Sequence, residues 1–177
     1  MVAYRGVRGD WALMANAIFI GLGASKDLPL GGTADVDFDE AILEVDGGWR
    51  FARHWELYFG VRLVDIDATL EVRPITGTDQ SAEGSKSWVD PLVGLRFEVP
   101  MGKRWSFVGR GDIGGFGVGS DFAWQAMGHF DWRISKHFGT VFGYVALDMD
   151  YADGSGSDYF LYDVVAEGPF AAATFHF

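Results

Sequence analysis

The chain has 177 residues, 25 Gly, no Cys, 16% aromatic residues and a formal net charge of -11. That composition fits one all-β domain and excludes a disulfide framework, thiolate metal sites and thiol catalysis, while the acidic balance leaves no basic stripe for nucleic acid. No apolar run reaches the roughly 18 residues a membrane-spanning helix needs, so a barrel is the only structure by which this chain could satisfy its backbone inside lipid.

At the N-terminus Arg5 and Arg8 precede an apolar run from Trp11 to Leu22 that has the outline of a signal peptide. Asp10 and Asn16 fit that outline poorly. Leu13, Ala15, Ala17 and Phe19 alternate with Asn16 on the other face, and we read the stretch as a strand. Counting it gives about eight strands, the even number expected of a bacterial single-chain barrel. Residues 1–10 are then an N-terminal extension, and an export signal is expected to have been trimmed or to lie upstream of Met1.

The strand-length segments run Trp11 to Ala24, Val36 to Phe51, Trp55 to Val72, Trp88 to Val99, Trp105 to Gly119, Asp121 to Ile134, Phe138 to Tyr151 and Phe160 to Phe177. Their connections alternate in length. Short turns at Ala52 to His54, Pro100 to Arg104 and Ser135 to His137 alternate with longer polar loops at Ser25 to Asp35, Arg73 to Ser87 and Ala152 to Tyr159, with one short exception near Gly119 and Ser120. Short turns on one rim and long loops on the other are expected of an eight-stranded antiparallel up-and-down transmembrane β-barrel with periplasmic turns and extracellular loops.

The segment Val89 to Gly119 shows the polarity best. Val89, Pro91, Val93, Leu95, Phe97 and Val99 alternate with Asp90, Leu92, Gly94, Arg96 and Glu98; after the turn, Phe107 and Ile113 oppose Arg110 and Asp112. A soluble sheet would bury the apolar face and a membrane barrel would turn it to lipid. Aromatics favour the second. Trp49 and Phe51 end a strand at the first short turn and Trp55 begins the next, with Trp105, Trp132, Phe138, Phe175, Phe177 and Trp11 at the same level; Trp124, Tyr151 and Tyr159 suit a second girdle.

The other parity is assigned to the lumen. It holds Glu40, Glu44, Asp46, Arg50, Arg62, Asp65, Asp67, Asp90, Arg96, Glu98, Arg110, Asp112, Gln125, His129, Asp131, Arg133, Asp148, Asp150 and Asp163. Parity slips between Arg62 and Asp65 and near Gly168 and Pro169, where β-bulges are expected. In so narrow a barrel these groups should pair with one another and with bound water, since several unpaired charges would cost several kcal/mol each. A plug is expected, not an open channel.

The chain ends Phe175, His176, Phe177, with Phe177 as a terminal-aromatic insertion signal. Together with Trp88-Val89-Asp90-Pro91, Gly94-Leu95-Arg96 and the run from Gly109 to Phe122, GRGDIGGFGVGSDF, it resembles a family of bacterial outer-membrane β-barrel proteins similar in architecture to OmpA and OmpX. The resemblance implies export, recognition of the C-terminal strand by the barrel-insertion machinery, a monomer among outer-membrane lipid and lipopolysaccharide, and a bacterial outer-membrane location. It carries over no catalytic residue and no cofactor.

Other motifs read more plainly as structure. Arg8-Gly9-Asp10 and Arg110-Gly111-Asp112 spell an adhesion tripeptide, but the second sits within a strand. His129 and Asp131 share a face as a base and its orienting carboxylate would, although a lumen ion pair with Arg133 or Arg110 explains them as well. Ser135 and His137 lie together only in a tight turn. The acidic run Asp148, Asp150, Asp153, Ser155, Ser157, Asp158 invites Ca²⁺ but departs from EF-hand spacing, and a solvated loop is expected, with no metal. A non-enzymatic barrel with a structural or loop-binding role in the envelope is the leading function; the alternatives are a narrow porin, a lipid-modifying membrane enzyme and a soluble lipocalin-like carrier.

Overall fold

The computed structural model describes residues 1–28, 31–74, 79–156 and 159–176. They form nine strands: β1 (Val2–Arg8), β2 (Trp11–Asp27), β3 (Gly32–Ala52), β4 (Trp55–Pro74), β5 (Gln80–Met101), β6 (Trp105–Gly114), β7 (Phe122–Arg133), β8 (Phe138–Asp153) and β9 (Phe160–Phe175). All belong to one antiparallel sheet in strict up-and-down order. The sheet curls into a half-barrel, bringing β9 opposite β3, where the Tyr162 hydroxyl donates to Glu40 at 2.9 Å. No helix among the described residues is long and apolar enough to cross a membrane, which leaves strand crossings untouched.

Strands β2 to β9 correspond one for one to the eight expected from the sequence. The ninth is β1. The expected extension at residues 1–10 contains a strand that pairs along β2 from Val2↔Ala17 to Arg8↔Trp11. Val2, Tyr4 and Val7 suit extended backbone, and Gly9, at a φ of 62°, turns the chain back on itself. Within the described ladders β1 pairs only with β2, and β9 only with β8.

The registers of β4 with β5 and of β8 with β9 run without interruption. The bulges expected at Arg62 to Asp65 and at Gly168 and Pro169 do not occur; the one irregularity of these ladders lies between Trp49 and Ala52. On β4 the inner face is therefore Glu56, Tyr58, Arg62, Val64 and Ile66, all buried, while Asp65 and Asp67 point out and are exposed. The same parity turns Asp148, Asp150 and Asp163 outward, because Leu147, Met149, Tyr151 and Tyr162 occupy the interior. Asp65, Asp67, Asp150 and Asp163 are exposed there, and an exposed carboxylate needs no bulge to hide it.

The β6 strand ends at Gly114, short of the expected Gly119. The four strands β2 to β5 are longer, with 17, 21, 20 and 22 residues, and outrun the 10 to 16 residues of β6 to β9. Outside, Leu13, Phe19, Leu43, Val45, Phe59, Val61, Leu63, Val89, Leu95 and Phe142 are all exposed. Inside, the upper half holds an apolar cluster of Ile42, Val64, Ile66, Trp88, Ala123, Leu147, Met149, Tyr151 and Tyr162. Charge fills the half below.

Candidate functional site: the buried charge network

Alternation on β3, β4 and β6 delivers Glu44, Asp46, Tyr58, Arg62, Arg110 and Asp112 to one place, since Glu44 pairs with Arg62 across the β3–β4 ladder and the curl brings β6 against both. Arg62 is fully buried and donates to Glu44 through Nε at 3.0 Å and Nη2 at 2.7 Å, and through Nη2 to Asp112 at 2.8 Å. Arg110 donates through Nη2 to Asp46 at 3.0 Å and to Glu44, and through Nε to the Tyr58 hydroxyl at 2.8 Å. The Tyr58 hydroxyl donates a hydrogen bond to Asp112 at 2.9 Å, and its ring lies 4.4 Å from the Arg110 guanidinium carbon. Asn16 on β2 donates to Glu44 at 3.1 Å.

Three carboxylates thus surround two guanidiniums. Asp46 Oδ1 and Arg62 Nη1 stay without a hydrogen-bond partner among the described residues. A close approach of backbones makes room for the knot: a Cβ on Gly94 would stand 2.5 Å from the Gly111 carbonyl oxygen and from the Tyr58 hydroxyl.

Smaller charge pairs lie above and below. Toward the short turns, Arg5 donates to Glu56 at 2.6 Å and Arg96 to Glu98 at 2.8 Å, beside a cavity of about 160 Å³ lined also by Arg53, His54, Trp55 and Pro100. Toward the loops, Asp90 accepts from the Ser120 amide at 2.6 Å, the Ser120 hydroxyl at 2.7 Å and the Trp88 indole at 3.3 Å. These bonds tie down the turn Gly115 to Ser120, in which Phe116 holds an uncommon φ of 53°. Trp88 stacks on Tyr151 at 4.1 Å.

The structure thus brings Glu40, Glu44, Arg62, Asp90, Arg96, Glu98, Arg110 and Asp112 to the concave face, but in separate groups and not as one continuous plug. Arg50 has inward parity yet lies exposed at a strand end, 3.5 Å from the Gly9 carbonyl. Arg133 is exposed and makes no ion pair among the described residues. Asp148 accepts from the Trp124 indole at 2.9 Å on the outside, and Asp150 faces Asp163 there.

His129 Nδ1 lies 3.4 Å from Asp131 without a hydrogen bond, and neither Arg133 nor Arg110 reaches that carboxylate. Ser135 Oγ accepts the amides of His137 and Phe138, so it caps its turn, and the His137 ring faces the His176 carbonyl. Ser157, Asp158 and Phe177, the residue expected to act as an insertion signal, lie outside the described residues.

Of the aromatics at the short turns, Trp105 stacks on Trp132 at 5.3 Å, Trp55 meets Phe97 at 5.3 Å, Phe138 meets Phe175 at 5.6 Å and Trp49 meets Phe51 at 6.0 Å. Sequence reasoning missed Tyr58, Glu56, Ser120 and Tyr162 as network members. Unbroken alternation from Glu56 to Ile66 would have found the first two; Ser120 and Tyr162 depend on contacts between strands distant in sequence. No protein-family model, curated protein or solved structure matches this chain.

Proposed function

We propose that this chain is an integral protein of the bacterial outer membrane, an OmpA- or OmpX-like β-barrel whose lumen is stopped by ion pairs and whose role is structural or exerted through its loops, without catalysis. One observation carries the reading. Its polarity is inverted, with Arg62, Asp46 and Asp90 fully buried while Leu13, Phe19, Phe59 and Leu95 stand exposed. Each large apolar side chain moved from water to lipid contributes about 1.5–3 kcal/mol, so a belt of more than ten such residues stabilises the chain in a bilayer by tens of kcal/mol. The interior charges need no solvent when they hold one another.

Lipid also demands that no backbone edge stay open, because each unsatisfied group there costs several kcal/mol. The exposed sides of β1 and β9, which run in the same direction in this nine-stranded sheet, are therefore expected to meet at a parallel seam. Outer-membrane lipid and lipopolysaccharide are the surroundings this assigns, with insertion guided by the C-terminal strand.

The test is refolding into phosphatidylcholine vesicles, followed by a heat-dependent gel shift and by single-channel recording. A shifted band with a silent lumen supports the plugged barrel. Steady openings that scale with salt would make it a narrow porin, and a protein that stays folded and monomeric in plain buffer would overturn the membrane assignment.

A further inference from the structure

The two rims carry opposite charge. Arg8, Arg53, Lys103, Arg104, Arg133 and Lys136 all lie at the short-turn rim, all are exposed, and none forms an ion pair among the described residues. The carboxylates there are few, and two of them, Glu56 and Glu98, are already neutralised by Arg5 and Arg96. At the other end Asp35, Asp37, Asp39, Asp65 and Asp67 line the outer side of β3 and β4, and Lys86 and Arg73 are engaged with Asp153, Asp35 and Glu71. Lys26, near the loop end of β2, is the one exposed exception; otherwise this chain of net charge -11 concentrates on one rim the cations that form no ion pair among the described residues.

These cations sit immediately beyond the aromatic belt. Trp11 pairs with Trp49 and Arg8 with Trp11, while Trp105 stacks on Trp132 beside Arg104, in the turn before β6, and Arg133, the last residue of β7. Indole rings settle at the boundary between hydrocarbon and headgroup. A basic residue one turn further out stands at the depth of lipid phosphate, where a negative surface attracts it.

We propose that the short-turn rim is a docking collar for anionic phospholipid headgroups in the leaflet it faces; this rests on the membrane reading above. The collar selects phosphatidylglycerol-type lipid over zwitterionic lipid, and it holds the barrel's orientation, because the acidic opposite rim is repelled from the same surface.

Five of the seven tryptophans, Trp11, Trp49, Trp55, Trp105 and Trp132, lie on this rim, so their fluorescence reports the lipid beside it. The probe is brominated phosphatidylglycerol against brominated phosphatidylcholine in vesicles, each sample also checked for the heat-dependent gel shift. The wild type is expected to prefer the anionic lipid at least about five-fold, the factor one basic residue near such a surface supplies. Salt at about 1 M, which shortens screening to about 3 Å, abolishes the preference. A variant with Lys103→Gln, Arg104→Gln and Lys136→Gln, all in turns and outside the buried network, diminishes the preference while keeping the gel shift, with Arg8, Arg53 and Arg133 supplying what remains.

Equal quenching of a shifted, folded wild type would overturn the collar alone, as would an undiminished preference in the triple variant. Absence of the shift would overturn the membrane reading and the collar with it. Ala52→Cys in this cysteine-free chain gives a single label site on the same rim. Its modification by an impermeant maleimide on intact cells would place the rim among lipopolysaccharide phosphates and overturn the phospholipid assignment; protection there supports it.

Discussion

Replacing Arg62 by Met removes a fully buried guanidinium that makes two hydrogen bonds to Glu44 and one to Asp112. Glu44 would keep Arg110 and Asn16, and Asp112 would keep Tyr58, so neither carboxylate is orphaned outright. Three carboxylates would then face one guanidinium, however, in a site closed to water. Removing one partner of a buried pair costs about 3–5 kcal/mol, and the expected loss for Arg62→Met lies in that range. Adding Glu44→Gln restores the original excess of one carboxylate and keeps an oxygen for Arg110 and Asn16; the double variant should recover more than half of the loss, to within about 1–2 kcal/mol of wild type. Urea unfolding in vesicles, followed by tryptophan emission and by the fraction of heat-shifted band, measures all three proteins. An Arg62→Met protein within about 0.5 kcal/mol of wild type, or a double variant as unstable as the sum of its singles, would refute the view that charge balance in this knot holds the lumen together.

Three further perturbations reach other parts of the molecule. Asp90→Ala withdraws the acceptor of three bonds from Ser120 and Trp88 and should cost about 2–3 kcal/mol, with new protease cleavage beside Phe116 as the sign that the turn has come free; an uncleaved turn would count against the tether. Gly94→Ala places a Cβ 2.5 Å from the Gly111 carbonyl, so it should lose at least the roughly 1–3 kcal/mol of an overpacked site and release Tyr58 from the network, seen as a lower urea midpoint. Glu167 is an exposed carboxylate on the outward parity of β9; Glu167→Leu should stabilise the protein by about 1–2 kcal/mol in a bilayer, whereas destabilisation in vesicles would argue that this face does not meet lipid.

How far the sequence carries can be judged strand by strand. Between Val89 and Val99 every side chain takes the face that alternation assigns it, because the ladder is unbroken and all the charged residues of the segment share one parity. On β4 the same rule misplaces Asp65 and Asp67. It treats charge as an inward marker even where the outer face carries exposed carboxylates, and a bulge then has to be invented where the ladder is unbroken. Asp148 and Asp150 fail for the same reason, and the apolar upper interior of Val64, Ile66, Leu147 and Met149 was hidden by that misassignment.

Local chemistry determined the all-β class, the order and approximate centres of β2 to β9, the placement of short turns on one rim and the aromatics beside them, since each depends on residues close together in the chain. The loops expected at Ser25 to Asp35 and Arg73 to Ser87 are instead largely strand, with β2 running to Asp27, β3 starting at Gly32 and β5 starting at Gln80. Only the tertiary structure decided that residues 2–8 add a ninth strand, that Tyr58 and Arg110 share a knot with Glu44, and that Tyr162 reaches Glu40 across the interior. The β1 hairpin is local, but the other contacts join residues 52 to 122 positions apart, and their formation depends on how tightly the sheet curls. Curl is a property of all the ladders together, set by twist and register summed over many strand pairs, and no single stretch of sequence encodes it.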